Sequence, residues 1–203
     1  MPFRLRVPTT PDTAEFYARY GDWAMLTPDD VPAILDGFGS PWWIAGGWAI
    51  DAFVGSCREH DDIDVCIYRD DVEEFCRVLA GRFHLWSAGP AGLRPITDGV
   101  ALHPDADQIW MRENAQSPWL LDVLVTRPED RRGTRWKAGD GISYMSPEFV
   151  LCFKAKYLRD KDIDDFNRTW PLLTPDARRV VHDYLRANHP EHQWLSAQIT
   201  DGN

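Results

Sequence analysis

Two aspartates two residues apart, Asp62 and Asp64, interrupt an apolar run that continues through Ile63, Val65, Cys66 and Ile67. In a strand, side chains alternate, so Asp62 and Asp64 share one face while Ile63, Val65 and Ile67 share the other. Strands are poor in Asp, and two like charges this close repel, more strongly when buried, unless a cation lies between them. A hard divalent ion with oxygen ligands resolves the conflict. Upstream, Gly46 and Gly47 open a short helix. Paired glycines let the backbone approach an anion closely, and the N–H groups and positive dipole end of a helix start point at it. Together these residues describe a phosphate cradle beside a Mg2+ site.

Other residues invite a chemical reading with a structural alternative beside it. Asp122 lies inside the apolar stretch Trp119 to Val125, where a bare buried carboxylate is costly; it either belongs to the metal site or pairs with a buried arginine. In a helix starting at Pro147, the residues Val150, Lys154, Tyr157, Leu158 and Lys161 fall on one stripe. Lys154 on an inward stripe is expected to reach phosphate oxygens, or else to snorkel at the stripe edge, whereas Lys156 lies opposite with Asp160 in pairing distance. Arg58 and His60 either touch phosphate or hold the loop, and Asp51 caps the helix or binds Arg58.

The strings Gly46-Gly47-Trp48-Ala49-Ile50-Asp51 and Arg58-Glu59-His60-Asp61-Asp62-Ile63-Asp64 resemble the signature of the DNA polymerase β-like nucleotidyltransferases. Within that superfamily they are similar to the aminoglycoside and lincosamide nucleotidyltransferases of antibiotic resistance, and the resemblance extends to Ser146 through Phe166. It implies an α+β nucleotidyltransferase fold, a short mixed sheet with packed helices, followed by a small C-terminal helical domain. It also implies Mg2+-dependent transfer of a nucleoside monophosphate, with ATP the expected NTP, to a hydroxyl. A third carboxylate on a neighbouring strand completes the site in that superfamily. Asp62, Asp64 and Asp122 thereby become the expected metal ligands and catalytic residues, with Asp122 also placed to accept the hydroxyl proton. Gly46, Gly47, Arg58, His60 and Lys154 are the expected nucleotide-binding set. Where an acid shortly after the third carboxylate helps some relatives bind a cationic drug, Leu124 stands here.

These residues need particular elements to hold them. Trp42 to Ala45 reads as a short strand delivering the double glycine, Trp48 to Val54 as a helix, and Asp62 to Ile67 as the aspartate strand. Gln108 to Arg112 and Trp119 to Thr126 read as a strand pair. Thr27-Pro28-Asp29-Asp30 starts a helix that should stop near Gly37 or Gly39, and a helix from Asp70 or Asp71 presents Val72, Phe75, Val78 and Leu79 on one face. Ser146-Pro147-Glu148 begins a long helix and Thr174-Pro175-Asp176 another. The polar segment Arg127 to Gly141 is the candidate boundary, giving domains 1–141 and 142–203.

The chain has 203 residues, is 44% hydrophobic and carries a formal net charge of −10. That suffices for a packed core. No stretch approaches the length of a membrane span, and the four cysteines lack metal-site spacing, so small core thiols in a reducing cytoplasm are expected. The acidic balance and the absence of a basic run count against nucleic acid as a partner and favour steering a cation toward the site; taken with the resemblance, they suggest a small, cationic hydroxyl acceptor such as an aminoglycoside. Two rival readings are nucleotidylation of a macromolecule, tRNA or protein, and a catalytically silent nucleotide-binding module. The missing basic stripe weighs against tRNA, and the three aspartates weigh against silence.

Overall fold

The computed structural model describes residues 15, 18–90, 92–97, 102–127 and 135–197. Two compact units are formed, one by Met1–Ile44 and Glu59–Arg132, the other by Ala45–Arg58 and Gly133–Asn203. Ala45–Arg58, which carries the double glycine, belongs to the same unit as Gly133–Asn203.

The first unit is built on strands β1 (Trp42–Ile44), β2 (Asp64–Tyr68), β3 (His84–Gly89), β4 (Gly92–Ile96), β5 (Gln108–Arg112) and β6 (Trp119–Thr126), in the order β4-β3-β5-β6-β2-β1. Only β2 and β6 run parallel in this set; the other neighbours are antiparallel, so the sheet is mixed. One face is apolar throughout: Ile63, Val65, Ile67, Ile109, Met111, Leu121 and Val123 are all fully buried. Helix α1 (Val31–Ile34) follows a single turn capped by Thr27, whose backbone N–H donates to Asp30 at 2.8 Å. A helix over Val72–Leu79 buries Phe75 and Leu79, with Phe75 edge-on to Phe38 at 5.3 Å between ring centres. The aspartate strand is shorter than expected from sequence, since pairing begins at Asp64 and Asp62 sits in the loop just before it.

The second unit holds α2 (Gly46–Val54), the Val72–Leu79 helix of the first unit being α3 in chain order, then the antiparallel pair β7 (Arg135–Lys137) and β8 (Ser143–Met145). Three helices follow, α4 (Pro147–Lys154), α5 (Asp160–Thr169) and α6 (Pro175–Asn188). Thr174 caps α6, accepting from the Ala177 N–H at 3.2 Å. Its core includes Ile50, Leu151, Val181 and Leu185, together with a stack of Phe166 on Trp194 at 4.3 Å.

The long helix expected from Ser146 onward is two helices. Leu158 takes a left-handed conformation (φ 49°) that a right-handed helix does not allow, and Asp162 caps the restart by accepting the Arg159 backbone N–H at 3.1 Å. The stripe drawn from Val150 to Lys161 therefore breaks after Lys154, leaving Tyr157 and Leu158 exposed. Cys57 is also exposed, unlike the core thiols Cys66 and Cys152. Among the described residues no helix is long and apolar enough to cross a membrane.

Candidate functional site

The carboxylates come together on the polar face of the first unit's sheet. Parallel pairing of β2 with β6 sets Asp64 directly opposite Asp122, and the Asp122 backbone N–H donates to Ile63 at 3.1 Å. Register partners in a ladder project to the same side, so Asp64 and Asp122 face one space, with Asp62 two residues before Asp64 on that side. Full burial of Ile63 and Val65 and half-burial of Asp62 and Asp64 match this alternation.

Asp122 is the most constrained of the three. It is 7% exposed, and Gln108 Nε2 donates to its Oδ2 at 3.2 Å. Its Oδ1 is buried and receives no hydrogen bond of normal geometry among the described residues. Burial, followed by the charges of Asp64 and Asp62, pushes the Asp122 carboxyl well above the usual range, and the Trp110 side chain opposite it in the β5–β6 register offsets only part of this. A buried carboxylate with one oxygen short of a hydrogen bond of normal geometry, beside the charges of Asp64 and Asp62, is a donor set suited to a hard divalent cation. The three side chains offer the oxygen donors that the Mg2+ expected from sequence takes.

The double glycine opens α2 in the second unit. Gly46 has φ 60°, a conformation that disfavours any residue with a Cβ, and the first N–H groups of a helix have no acceptor within it. The end of the same segment is fixed by ion pairs. Asp51 accepts the Arg58 backbone N–H at 2.9 Å and Arg168 Nη2 at 2.6 Å. Arg58 forks onto Asp165 at 3.0 and 2.9 Å, and Arg168 adds a third contact to Asp165 at 3.1 Å.

Lys154 belongs to this network. Its ammonium lies 3.1 Å from Asp162 and 2.9 Å from Asp165, both fully buried, while Arg159 holds Asp162 from the other side at 2.8 Å. In one continuous helix, residue 162 would lie about 12 Å along the axis from residue 154; the break at Leu158 folds α5 back and closes the pair. Asp165 is held down at about 2, and Asp162 is also lowered, by hydrogen bonds and charges from Arg58, Lys154 and Arg159 that outweigh burial.

The structure thus brings Asp62, Asp64 and Asp122 together in one unit and Gly46, Gly47, Arg58 and Lys154 into the other. His60 is half-buried in the loop before β2. Asp162, Asp165 and Arg168 were not singled out from sequence. Their signal was the i, i+3 spacing of Asp162 and Asp165 beside Phe166 and Thr169, which makes the buried stripe of α5 partly acidic.

Part of the chain matches known proteins. Residues 29–84 match the family model described as aminoglycoside-2''-adenylyltransferase, a stretch that includes Gly46, Gly47, Asp62 and Asp64 and ends before Asp122 and Lys154. A 2''-aminoglycoside nucleotidyltransferase of Escherichia coli and one of Klebsiella pneumoniae are each 44% identical over 56 residues, 26% of this chain and 32% of theirs. The chain thus spans about a third of the length of these curated relatives. Among solved structures, the antibiotic-resistance factor ANT(2'')-Ia aligns with a TM-score of 0.55 and 19% identity over 80% of this chain and 90% of its own. Lincomycin-bound LnuA, a lincosamide antibiotic adenylyltransferase, aligns at 0.52 and 19% identity over 73% and 99%. Residues 29–84 thus resemble the aminoglycoside-2''-adenylyltransferase family model, and the solved structures share the fold of this chain.

Proposed function

We propose that this chain is a Mg2+-dependent nucleotidyltransferase that moves a nucleoside monophosphate, AMP from ATP, onto a hydroxyl of a small molecule. The observation that carries this reading is the register of Asp64 against Asp122, whose carboxylate is buried with one oxygen short of a hydrogen bond of normal geometry. Asp62, Asp64 and Asp122 would hold the metal, which when bound neutralises charge on the triphosphate and on the leaving group. Asp122, on the strand beside Asp64, would take the proton of the acceptor hydroxyl. The acceptor oxygen forms its bond to the α-phosphorus as the bond to the bridging oxygen breaks, and pyrophosphate leaves with that electron pair.

In the other unit, Gly46 and Gly47 supply backbone N–H donors suited to phosphate. Arg58, His60 and Lys154 complete the proposed nucleotide-binding set. An ammonium has three N–H bonds, and Lys154 commits two to Asp162 and Asp165, which leaves one for a phosphate oxygen.

The relatives' names point to aminoglycosides and lincosamides as first candidate acceptors, and hence to antibiotic modification in the cytoplasm. The net charge of −10 favours a cation on long-range grounds. The test is incubation with labelled ATP, Mg2+ and a panel of hydroxyl compounds that includes both drug classes. Pyrophosphate release dependent on one compound supports the reading, and release dependent on none refutes it.

A further inference from the structure

The polar face that carries the carboxylates continues along β5 into a group of indoles. Trp110, opposite Asp122, has its ring 5.2 Å from Trp23 and 5.4 Å from Trp119, and Trp86 stands edge-on to Trp119 at 6.2 Å. Trp23 and Trp119 are buried, whereas Trp86 and Trp110 are partly open. A register shift between Met111 and Arg112 brings Trp119 onto this side of the sheet. Trp119 is pinned by its indole N–H to the Tyr20 carbonyl at 2.6 Å, so the platform is rigid.

Arg112 lies on this platform, with its guanidinium carbon 4.3 Å from the Trp119 ring centre and 5.0 Å from that of Trp86. Among the described residues no carboxylate pairs with it and no acceptor meets its side chain, and its Nε is buried and unsatisfied. In a chain with ten more formal negative than positive charges, an arginine left without an acid is out of keeping. Stacking holds the guanidinium plane while leaving its edge N–H groups to a planar oxyanion, the geometry in which arginine binds carboxylates. Arg112 is two residues from Trp110 on the same strand, about 7 Å along β5 from the position facing Asp122.

We propose that Arg112 is a specificity residue of the acceptor site: it binds an oxyanion, a carboxylate in the first instance, on the ring-bearing acceptor whose hydroxyl meets Asp122. This rests on the nucleotidyl-transfer reading but departs from its first candidates, putting an anionic acceptor in place of a cationic one. Net charge acts at long range, but the group an acceptor meets beside Asp122 on this strand is a cation on an aromatic shelf. A polycation is disfavoured there, and a sugar acid, with its apolar ring face on the indoles, is favoured.

Glucuronate, glucose and glucosamine are matched pyranoses that differ in charge, and their binding is read by tryptophan fluorescence with Mg2+ and a non-hydrolysable ATP analogue present. The analogue keeps the anion off the triphosphate site. Glucuronate is expected to bind about tenfold more tightly than glucosamine, and Arg112→Gln to reduce that preference to less than about threefold, the loss of one charge-assisted pair. Arg112→Lys keeps the charge without the planar fork and is expected to retain the preference in weakened form. Equal binding of the three sugars by the unaltered protein, or a preference unchanged in both variants, overturns the proposal; so does a variant that only melts earlier. Pyrophosphate release is followed separately with the same sugars and with the drug panel. An Arg112-dependent preference without release from any compound removes the transferase reading and keeps the oxyanion site, whereas release without the preference does the reverse.

Discussion

Removing the Lys154 side chain probes the buried ion network and separates its structural role from contact with phosphate. Lys154 is 7% exposed, and its partners Asp162 and Asp165 are fully buried. Breaking a buried pair costs about 3–5 kcal/mol when the remaining charge is left bare. Here neither carboxylate is left bare, because Arg159 still reaches Asp162 at 2.8 Å and Arg58 and Arg168 still reach Asp165 at 2.9 and 3.1 Å. Lys154→Ala is therefore expected to lower the unfolding free energy by about 2–3 kcal/mol, below the range for a bared charge. Lys156→Ala is the control, since Lys156 only lies over the exposed Tyr157 ring; its change should stay within about 0.5 kcal/mol.

Both effects are read by urea unfolding, and pH adds a second axis. Asp165 is depressed to about 2 and Asp162 is lowered as well. For an acid whose folded value is depressed, the stability is fully present above its unfolded value and is lost as pH falls through the folded one. The gap between Lys154→Ala and the unaltered protein should thus be full above about pH 4 and close towards about pH 2. A loss no larger than that of Lys156→Ala, or a gap that does not change with pH, refutes the reasoning.

Asp122→Asn removes a buried charge already disfavoured by its neighbours. In metal-free buffer it should raise the unfolding free energy by about 1–2 kcal/mol, abolish transfer and remove the stabilisation that added Mg2+ gives the unaltered protein, all measurable by urea unfolding and product assay. Gly46→Ala forces a Cβ onto a backbone at φ 60°, so it should cost about 1–2 kcal/mol in the same unfolding assay and weaken ATP-analogue binding by calorimetry.

Local signals in the sequence were sufficient for much of this architecture. The strands Gln108–Arg112 and Trp119–Thr126 end where the sequence places them, because turn residues flank each apolar run. Asp62, Asp64 and Asp122 stood out because acids inside apolar runs are costly, and the β2–β6 register sets Asp64 opposite Asp122. The α4–α5 break was hidden because no glycine or proline marks it; Leu158 adopts φ 49° in a context that only tertiary packing supplies. Missing that break hid the partners of Lys154, since Asp162 and Asp165 reach it only when α5 turns back. Arg112 was equally silent in sequence, for its isolation from acids depends on which strands lie beside β5.

The most direct test of nucleotidyl transfer follows pyrophosphate release from labelled ATP with Mg2+ and the acceptor panel, comparing the unaltered protein with Asp64→Asn. Asp64 is the β2 partner of Asp122, so replacing it breaks the carboxylate pair while leaving the strand in register. Acceptor-dependent release by the unaltered protein, with at least about a hundredfold loss in Asp64→Asn, is the expected result. Release that survives the substitution within about tenfold, or no release with any acceptor, contradicts the assignment of this carboxylate face as the catalytic centre.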